Sequence, residues 1–253
     1  MWDCGVDRAP GPNGFTFEFL KIFWSTVEDD VVRLVCDFFE SSSIPKGCNP
    51  SFIALIPKIQ DSKFVKDFRP ISLIGCQYKI IGKLLANRLS SIIGDCVSVE
   101  QSGFIKGRQI LDGPLILNEV MDWYKRRKKK LLVFKVDFEK AYDSLRWDFL
   151  DLVLEKIGFG SKWRGWITGC LENSTASVLV NGSPTREFEI CRGLRQGDPL
   201  SPFLYLPVAS FLPWKDCTRL FKKRKKKVFF MGQQLTKVSY LYPIFFMWMM
   251  LFL

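Results

Sequence analysis

A carboxylate stands at the point where an apolar strand is expected to end. Asp137 follows the run Leu131–Val136 and opens the sequence Asp-Phe-Glu-Lys-Ala-Tyr-Asp over residues 137–143. A strand fixes the position of such a side chain and the turn after it exposes the carboxylate, which suits a ligand for a hard cation. An aspartate at this place is also an ordinary helix N-cap, and these residues alone favour the cap.

A second segment able to do chemistry is Gly193–Pro202, which reads Gly-Leu-Arg-Gln-Gly-Asp-Pro-Leu-Ser-Pro. Its two glycines let the backbone approach a ligand closely. Pro199 indicates that a helix begins directly after the turn, and a helix N-terminus favours a phosphate. By itself the segment indicates a turn that suits a phosphate ligand.

The elements that must position these groups follow from hydrophobic periodicity. Apolar residues at helical spacing predict helices from Phe15 to about Glu40, and the amphipathic stretch Tyr78–Ile93 predicts another. The remaining predicted elements are strands at 51–58, 131–136 and 176–181, the last entering a hairpin turn at Gly182, and helices at 145–157 and 163–172. After about Tyr205, aromatic and basic residues crowd together without a clear period.

The composition limits the possible chemistry. Lys and Arg outnumber Asp and Glu by 37 to 26, for a formal net charge of +11, so a polyanionic partner is expected. Histidine is absent, which excludes histidine-containing zinc sites and Ser-His or Cys-His catalysis. The eight cysteines form neither a Cys-x-x-Cys pair nor a secreted disulfide pattern. Because the N-terminus also has no leading apolar run, no signal peptide is expected, and the predicted location is cytoplasmic or nuclear.

Ordered blocks of the sequence together resemble one family. Residues 137–144 are similar to the first palm motif of LINE-type (non-LTR) retrotransposon reverse transcriptases, and Gly193–Pro202 to the motif that follows it. The family's fingers blocks resemble 56–58, 68–73 and 101–108, and the segment before the fingers resembles 9–15. The resemblance covers residues 1 to about 205 in the correct order, and it is nearest to plant elements.

The resemblance implies an α+β fold, the fingers and incomplete palm of a right-hand polymerase. The expected domain limits are an N-terminal helical segment over 1–48, fingers over 49–125, part of the palm over 126–205, and a tail over 206–253 in place of the rest of the palm. Within the palm, Val133–Asp137 is expected to be a central strand, with Ala176–Val180 in a neighbouring hairpin.

The family's reaction implies roles for single residues. RNA-directed DNA polymerases transfer nucleotides with two Mg²⁺ ions, for which Asp137 and the backbone carbonyl of Phe138 would be ligands. Tyr142 would lie beneath the sugar and reject a 2′-hydroxyl. The other implied contacts are Lys58 and Arg69 with the triphosphate, Gln196 and Gly197 with the nucleotide or template base, and Lys106 and Arg108 with the template backbone. The implied partners are an RNA template, a DNA primer and deoxynucleoside triphosphates.

The family's second catalytic block, Tyr-x-Asp-Asp, is missing where it should follow Pro202. Asp216 is the only acidic residue between Asp198 and the C-terminus. Read one base earlier, however, the codons for 246–251 permit Tyr-Val-Asp-Asp-Ala, because Met and Trp have one codon each. The same shift makes 228–232 compatible with Gly-Leu-Phe-His-Gly and 214–218 with Met-Glu-Gly-Leu-His, which also resemble the family. The sequence therefore predicts that the chain leaves the family's reading frame within about 206–213 and is inactive as a polymerase.

The frame change gives two features of the tail another interpretation. The basic cluster Lys222–Lys227 resembles a nuclear-localisation signal, and the apolar stretch from Tyr240 resembles a membrane anchor. The stretch is shorter than the roughly 20 residues of a spanning helix and contains Pro243, so no stable membrane association is expected. Two other functions stay open: a non-catalytic RNA-binding remnant, and a small tail-anchored membrane protein.

Overall fold

The structure, a computed structural model, describes residues 9–97, 101, 103–109, 111–129, 132–136, 142–210, 228–233 and 247–252, with the backbone alone for 132–136, 228–233 and 247–252. The chain divides into two units. The first comprises Met1–Asn87 with Tyr142–Pro202, and the second comprises Arg88–Ala141 with Phe203–Leu253. The domain limits expected from the family stay predictions.

Two helices open the described chain, as the spacing of apolar residues predicts. Helix α1 (Phe17–Ile22) begins after Thr16, whose hydroxyl accepts a hydrogen bond from Phe19 N at 3.2 Å. Helix α2 (Trp24–Ser41) follows directly. Phe17 and Leu20 form a buried cluster with two residues of the next helix, Cys76 and Ile80. This cluster fixes the N-terminal helices in the first unit.

Helix α3 (Cys76–Cys96) confirms the amphipathic helix expected from Tyr78 to Ile93. Its apolar side chains recur every three or four residues, and this spacing places them on one face. That face is almost fully buried: 1% of Tyr78 and of Ile81 is exposed, and 0% of Leu85, Leu89 and Ile93. The helix therefore supplies much of the described core.

The first unit contains a sheet with the strand order β2-β1-β4-β5, and β6 also pairs with β4. Strand β1 (Pro50–Pro57) pairs antiparallel with β2 (Phe68–Ile74) and parallel with β4 (Thr175–Val180). A short 3₁₀ turn, Val65–Asp67, precedes β2. Strands β5 (Ser183–Pro184) and β6 (Phe188–Glu189) are two residues each. Strand β2 was not predicted, and it lies at the end of this strand order.

The predicted hairpin and helices after residue 142 are confirmed. Helices α5 (Trp147–Ile157) and α6 (Ser161–Leu171) precede β4. Strand β4 turns into β5 through Asn181 (φ 51°) and Gly182 (φ 81°), a left-handed pair that suits a two-residue hairpin turn. A further helix, α7, covers 201–210 of the described chain, as the proline at position 199 indicates.

The second unit has its own helix and sheet. Helix α4 (Asp112–Arg126), which the sequence reasoning missed, precedes β3 (Leu132–Val136). Strand β3 pairs antiparallel with β8 (Met247–Phe252), and β8 pairs with β7 (Val228–Gln233), in the order β3-β8-β7. The strand at 133–136 is thus confirmed. Its expected central position is wrong for the described strands, because β3 ends this order and β4 belongs to the other sheet.

Burial on α3 leads to a stability prediction. Leu85→Ala removes a side chain with 0% exposure and should lower the free energy of unfolding by about 2–5 kcal/mol, through lost burial and the cavity that remains. Ile92→Ala, on the same helix but 42% exposed, should cost about 0.5 kcal/mol or less. Urea denaturation followed by circular dichroism measures both. Equal losses for the two variants would contradict this core.

Candidate nucleotide-binding site

The turn at Gly193–Pro202 is bonded to the segment that follows the predicted metal ligand. Leu194 N donates to the carbonyl oxygen of Tyr142 at 2.9 Å, and Gly193 N donates to that of Leu145 at 2.7 Å. Gly193 has φ +84°, and a Cβ there would lie 2.9 Å from the carbonyl oxygen of Asp143. Only glycine fits this close approach. The two sequence blocks expected to form the site are therefore joined through their backbones.

The same turn also meets the strand that carries Arg69. Ser72 N of β2 donates a hydrogen bond to the carbonyl oxygen of Gln196 at 2.7 Å. Gly197 has φ +101°, and a Cβ at this position would lie 3.0 Å from the carbonyl oxygen of Ser72. The turn thus supplies a hydrogen-bond partner to the otherwise open side of β2. Gln196, half-buried, and Arg69 are brought to one edge of the sheet.

Lys58 directly follows β1, and Arg69 lies near the start of β2, at the same end of the β1–β2 pair. Arg69 is the register partner of Ile56 in β1, and Lys58 lies in the bend that follows Pro57. Lys58 is exposed, and its Nζ donates to the carbonyl oxygen of Lys66 at 2.9 Å. The two cations expected to hold a triphosphate therefore both lie at this end of the β1–β2 pair in the first unit.

A buried polar network stabilises the turn through its residues Arg195 and Asp198. Arg195 is 8% exposed and Asp198 5% exposed, with Arg195 Nε 3.8 Å from Asp198 Oδ2. Arg195 Nη1 donates to Asn49 Oδ1 at 2.7 Å. The guanidinium carbon lies 4.0 Å from the centroid of the Tyr78 ring. These contacts compensate a buried guanidinium whose charge would otherwise be costly.

Asp198 links this network to two helices. Tyr78 Oη of α3 donates to Asp198 Oδ2 at 2.7 Å, and Leu200 N donates to Asp198 Oδ1 at 2.8 Å just before α7. Burial raises the pKa of Tyr78 well above its usual value, so its hydroxyl stays protonated and remains the donor. The carboxylate therefore accepts from a side chain 120 residues away and from the backbone at the start of α7.

Arg195, Asp198, Tyr78 and Asn49 were not assigned a role from the sequence. Two signals pointed to them: opposite charges three residues apart in the turn, and a tyrosine on the apolar face of an amphipathic helix. Asn49 offered no signal, because a polar residue before a strand is common. Its side chain also donates to the carbonyl oxygen of Cys170 at 3.1 Å, so it ties β1 to α6.

Of the other residues predicted for the site, some belong to the described chain and some do not. Tyr142 is 9% exposed and lies beside the turn. Asp137 and Phe138 lie outside the described residues, as do Lys130 and the cluster Lys222–Lys227. Among the described residues, no group of three or more cysteine or carboxylate side chains could hold a metal ion.

The predicted template contacts lie in the second unit. Lys106 is exposed. Arg108 Nη1 donates to the carbonyl oxygen of Gln101 at 2.6 Å, and its Nη2 donates to that of Gly94 at 3.0 Å. The guanidinium therefore ties its own loop to the end of α3. Lys106 has the exposure that a phosphate contact needs, whereas these bonds give Arg108 a structural task.

The buried network leads to a second prediction. Asp198→Ala leaves the buried Arg195 guanidinium without its counter-ion and the Tyr78 hydroxyl without its acceptor, so the free energy of unfolding should fall by about 3–5 kcal/mol. The matched control is Asp148→Ala, since Asp148 is exposed and its ion pair in the described chain is with the exposed Arg146; its effect should be much smaller. Chemical denaturation of the full chain compares them. A small effect of Asp198→Ala would show that the network does not stabilise the turn.

The segments that form the candidate site also match a known protein family. The family model described as "Reverse transcriptase (RNA-dependent DNA polymerase)" matches residues 56–213. That range contains the end of β1, all of β2 and α3, the turn at Gly193–Pro202, and every residue of the buried network except Asn49. The match ends within the range in which the sequence predicts a loss of reading frame.

Two similar curated proteins come from animal transposable elements. The chain is 31% identical over 207 residues to the Transposon TX1 uncharacterized 149 kDa protein of Xenopus laevis, covering 81% of this chain and 16% of that protein. It is 33% identical over 202 residues to the Retrovirus-related Pol polyprotein from type-1 retrotransposable element R2 of Popillia japonica, covering 78% and 27%. The chain thus spans about a quarter or less of these relatives.

Among solved structures, apo telomerase from Candida tropicalis, truncated from its C-terminal domain, has a TM-score of 0.48 and 13% identity, covering 83% of this chain and 44% of that one. Telomerase from Candida albicans, in complex with a fragment of telomeric RNA, has a TM-score of 0.47 and 13% identity, covering 93% and 41%.

Proposed function

Because the chain belongs to the reverse transcriptase (RNA-dependent DNA polymerase) family, in the type found in non-LTR retrotransposons, we propose that it binds RNA and nucleotides but does not polymerise. Its α+β fold is the one expected for fingers and palm. The observation that carries the proposal is the hydrogen bond from Ser72 N to the carbonyl oxygen of Gln196, which brings two blocks expected to contact the nucleotide to one sheet edge.

The nucleotide side of the proposal uses charge and geometry. Lys58 and Arg69 would hold the triphosphate, Arg69 through the paired donors of a guanidinium. Gln196 and Gly197 would face the nucleotide or template base, and Tyr142 would lie beneath the sugar. The buried network fixes this turn before any ligand arrives, so little conformational entropy is lost on binding.

The inactivity rests on the sequence. In this family a divalent metal supplies the electrostatic stabilisation of phosphoryl-type transfer. The metal ligands that the first palm motif would provide are Asp137 and the backbone carbonyl of Phe138. The Tyr-x-Asp-Asp block is absent, and the family match ends at residue 213. Loss of the frame within about 206–213 is part of this proposal, as are magnesium as the metal, a plant element as the source, and a cytoplasmic or nuclear location.

The alternative of a small tail-anchored membrane protein has less support from the described residues than the proposed function has. Residues 247–252 of the apolar tail form strand β8. None of the helices in the described part of the chain is both long enough and apolar enough to cross a membrane.

RNA binding is the first test of the proposal. The full chain, with a net charge of +11, should bind a single-stranded RNA with an affinity that falls steeply as salt rises, because phosphate contacts release counterions. Lys106→Gln should weaken binding and lower the slope of log affinity against log salt by about 0.7. Lys46→Gln, which removes an exposed lysine of the first unit, is the matched control. Fluorescence anisotropy over a salt series measures both; binding that is absent or independent of salt refutes the electrostatic basis.

Primer extension is the second test. The purified chain should extend no DNA primer on an RNA template with Mg²⁺ or Mn²⁺, since the second carboxylate block is missing. Asp137→Ala should therefore leave the result unchanged. Processive extension that Asp137→Ala abolishes would overturn the predicted inactivity.

A further inference from the structure

The C-terminal end of α4 carries an exposed aromatic ring among consecutive cations. Trp123 is 41% exposed. The five residues Lys125, Arg126, Arg127, Lys128 and Lys129 are all exposed. We call these six residues the basic end of α4. Lys125 and Arg126 end α4, Arg127 is its C-cap, and Lys128 (φ 52°) leaves the helical conformation, so the cations continue past the end of the helix.

The cations and the ring form one unit. The guanidinium carbon of Arg127 lies 4.4 Å from the centroid of the Trp123 indole, and Lys129 Nζ lies 5.2 Å from it. Tyr124 packs edge-on against the same ring, with centroids 4.9 Å apart and an interplanar angle of 63°. The ring is therefore oriented from one side while much of its surface stays exposed. A nucleotide whose phosphate pairs with Arg127 or Lys129 would have its base next to the Trp123 indole.

Unpaired bases fit this arrangement better than other polyanions do. A base has a planar face that stacks on indole or guanidinium, and aromatic residues beside basic ones are the usual platform for single strands. A lipid surface is extended, so exposed Glu119 and Asp122 on the same helix would also meet its anionic headgroups, whereas one strand of RNA can contact the basic end of α4 alone. An acidic peptide would use the cations but would leave the indole without a stacking partner.

We infer that the basic end of α4 is a docking surface for single-stranded RNA, in which one base stacks on Trp123 and the flanking phosphates pair with the cations around it. The inference rests on the proposed function for the identity of the polyanion. It adds a subsite whose contribution depends on bases as well as on charge.

The test separates base stacking from charge. Fluorescence anisotropy of the full chain compares an oligoadenylate of about 12 nucleotides with an abasic oligomer that has the same number of phosphates. Trp123→Ala should weaken binding of the oligoadenylate by about fivefold to a hundredfold and leave the abasic oligomer unchanged. Trp123→Phe should keep most of the affinity. Arg127→Gln should weaken binding of both probes.

The matched control is Lys162→Gln. Lys162 Nζ lies 5.6 Å from the ring centroid of Trp166, a half-buried tryptophan on α6, so the variant removes a cation beside an indole that is not offered to a base. It should not alter the preference for oligoadenylate over the abasic oligomer. Circular dichroism of each variant should match the parent chain, because Trp123 is not part of the core.

The outcomes distinguish the subsite from the general proposal. If the parent chain binds neither probe, the proposed RNA binding itself fails. If it binds both but Trp123→Ala has no effect, or weakens both equally, the stacking subsite is refuted and the proposed function stands. Capture by phosphatidylserine vesicles that depends on Trp123, with RNA binding unchanged, would instead identify a membrane surface and would also refute the subsite.

Discussion

The buried guanidinium of Arg195 is the constraint on which the candidate site depends. A positive charge removed from water is tolerated only where fixed partners replace the lost hydration. Its partners are Asn49 before β1, the Tyr78 ring on α3 and Asp198 in its own turn. The shape of the turn therefore depends on the positions of β1 and α3. Site geometry and folding of the first unit are coupled through this one residue.

That coupling would keep a site proposed to bind nucleotides in shape in a chain proposed to lack catalysis. The turn is held by Arg195, by Asp198 and by backbone bonds to Tyr142 and Ser72. None of these contacts involves the missing carboxylate block. Binding through cations and stacking also needs no metal held by that block, whereas phosphoryl transfer does. The proposed separation of binding from catalysis thus follows from which groups each one requires.

Local patterns decided most of the elements correctly. Helical periodicity located α2 and α3, and the hairpin at Asn181–Gly182 followed from turn chemistry. Strand β2 and helix α4 were missed. Strand β2 contains Pro70, which argues against a strand in a single sequence, yet β2 ends its strand order, where proline is tolerated. Arg108 stays a predicted template contact, and its guanidinium also donates to backbone carbonyls of its own unit.

The sequence by itself determined the family, the order of its blocks, the absence of the Asp-Asp box and the excess of positive charge, because these are properties of residue types along the chain. Only the tertiary structure decided which residues support the site. Tyr78 meets Asp198 across 120 positions and Arg195 meets Asn49 across 146. No local pattern encodes such pairs, since the cost of burying a charge depends on the groups that folding brings around it.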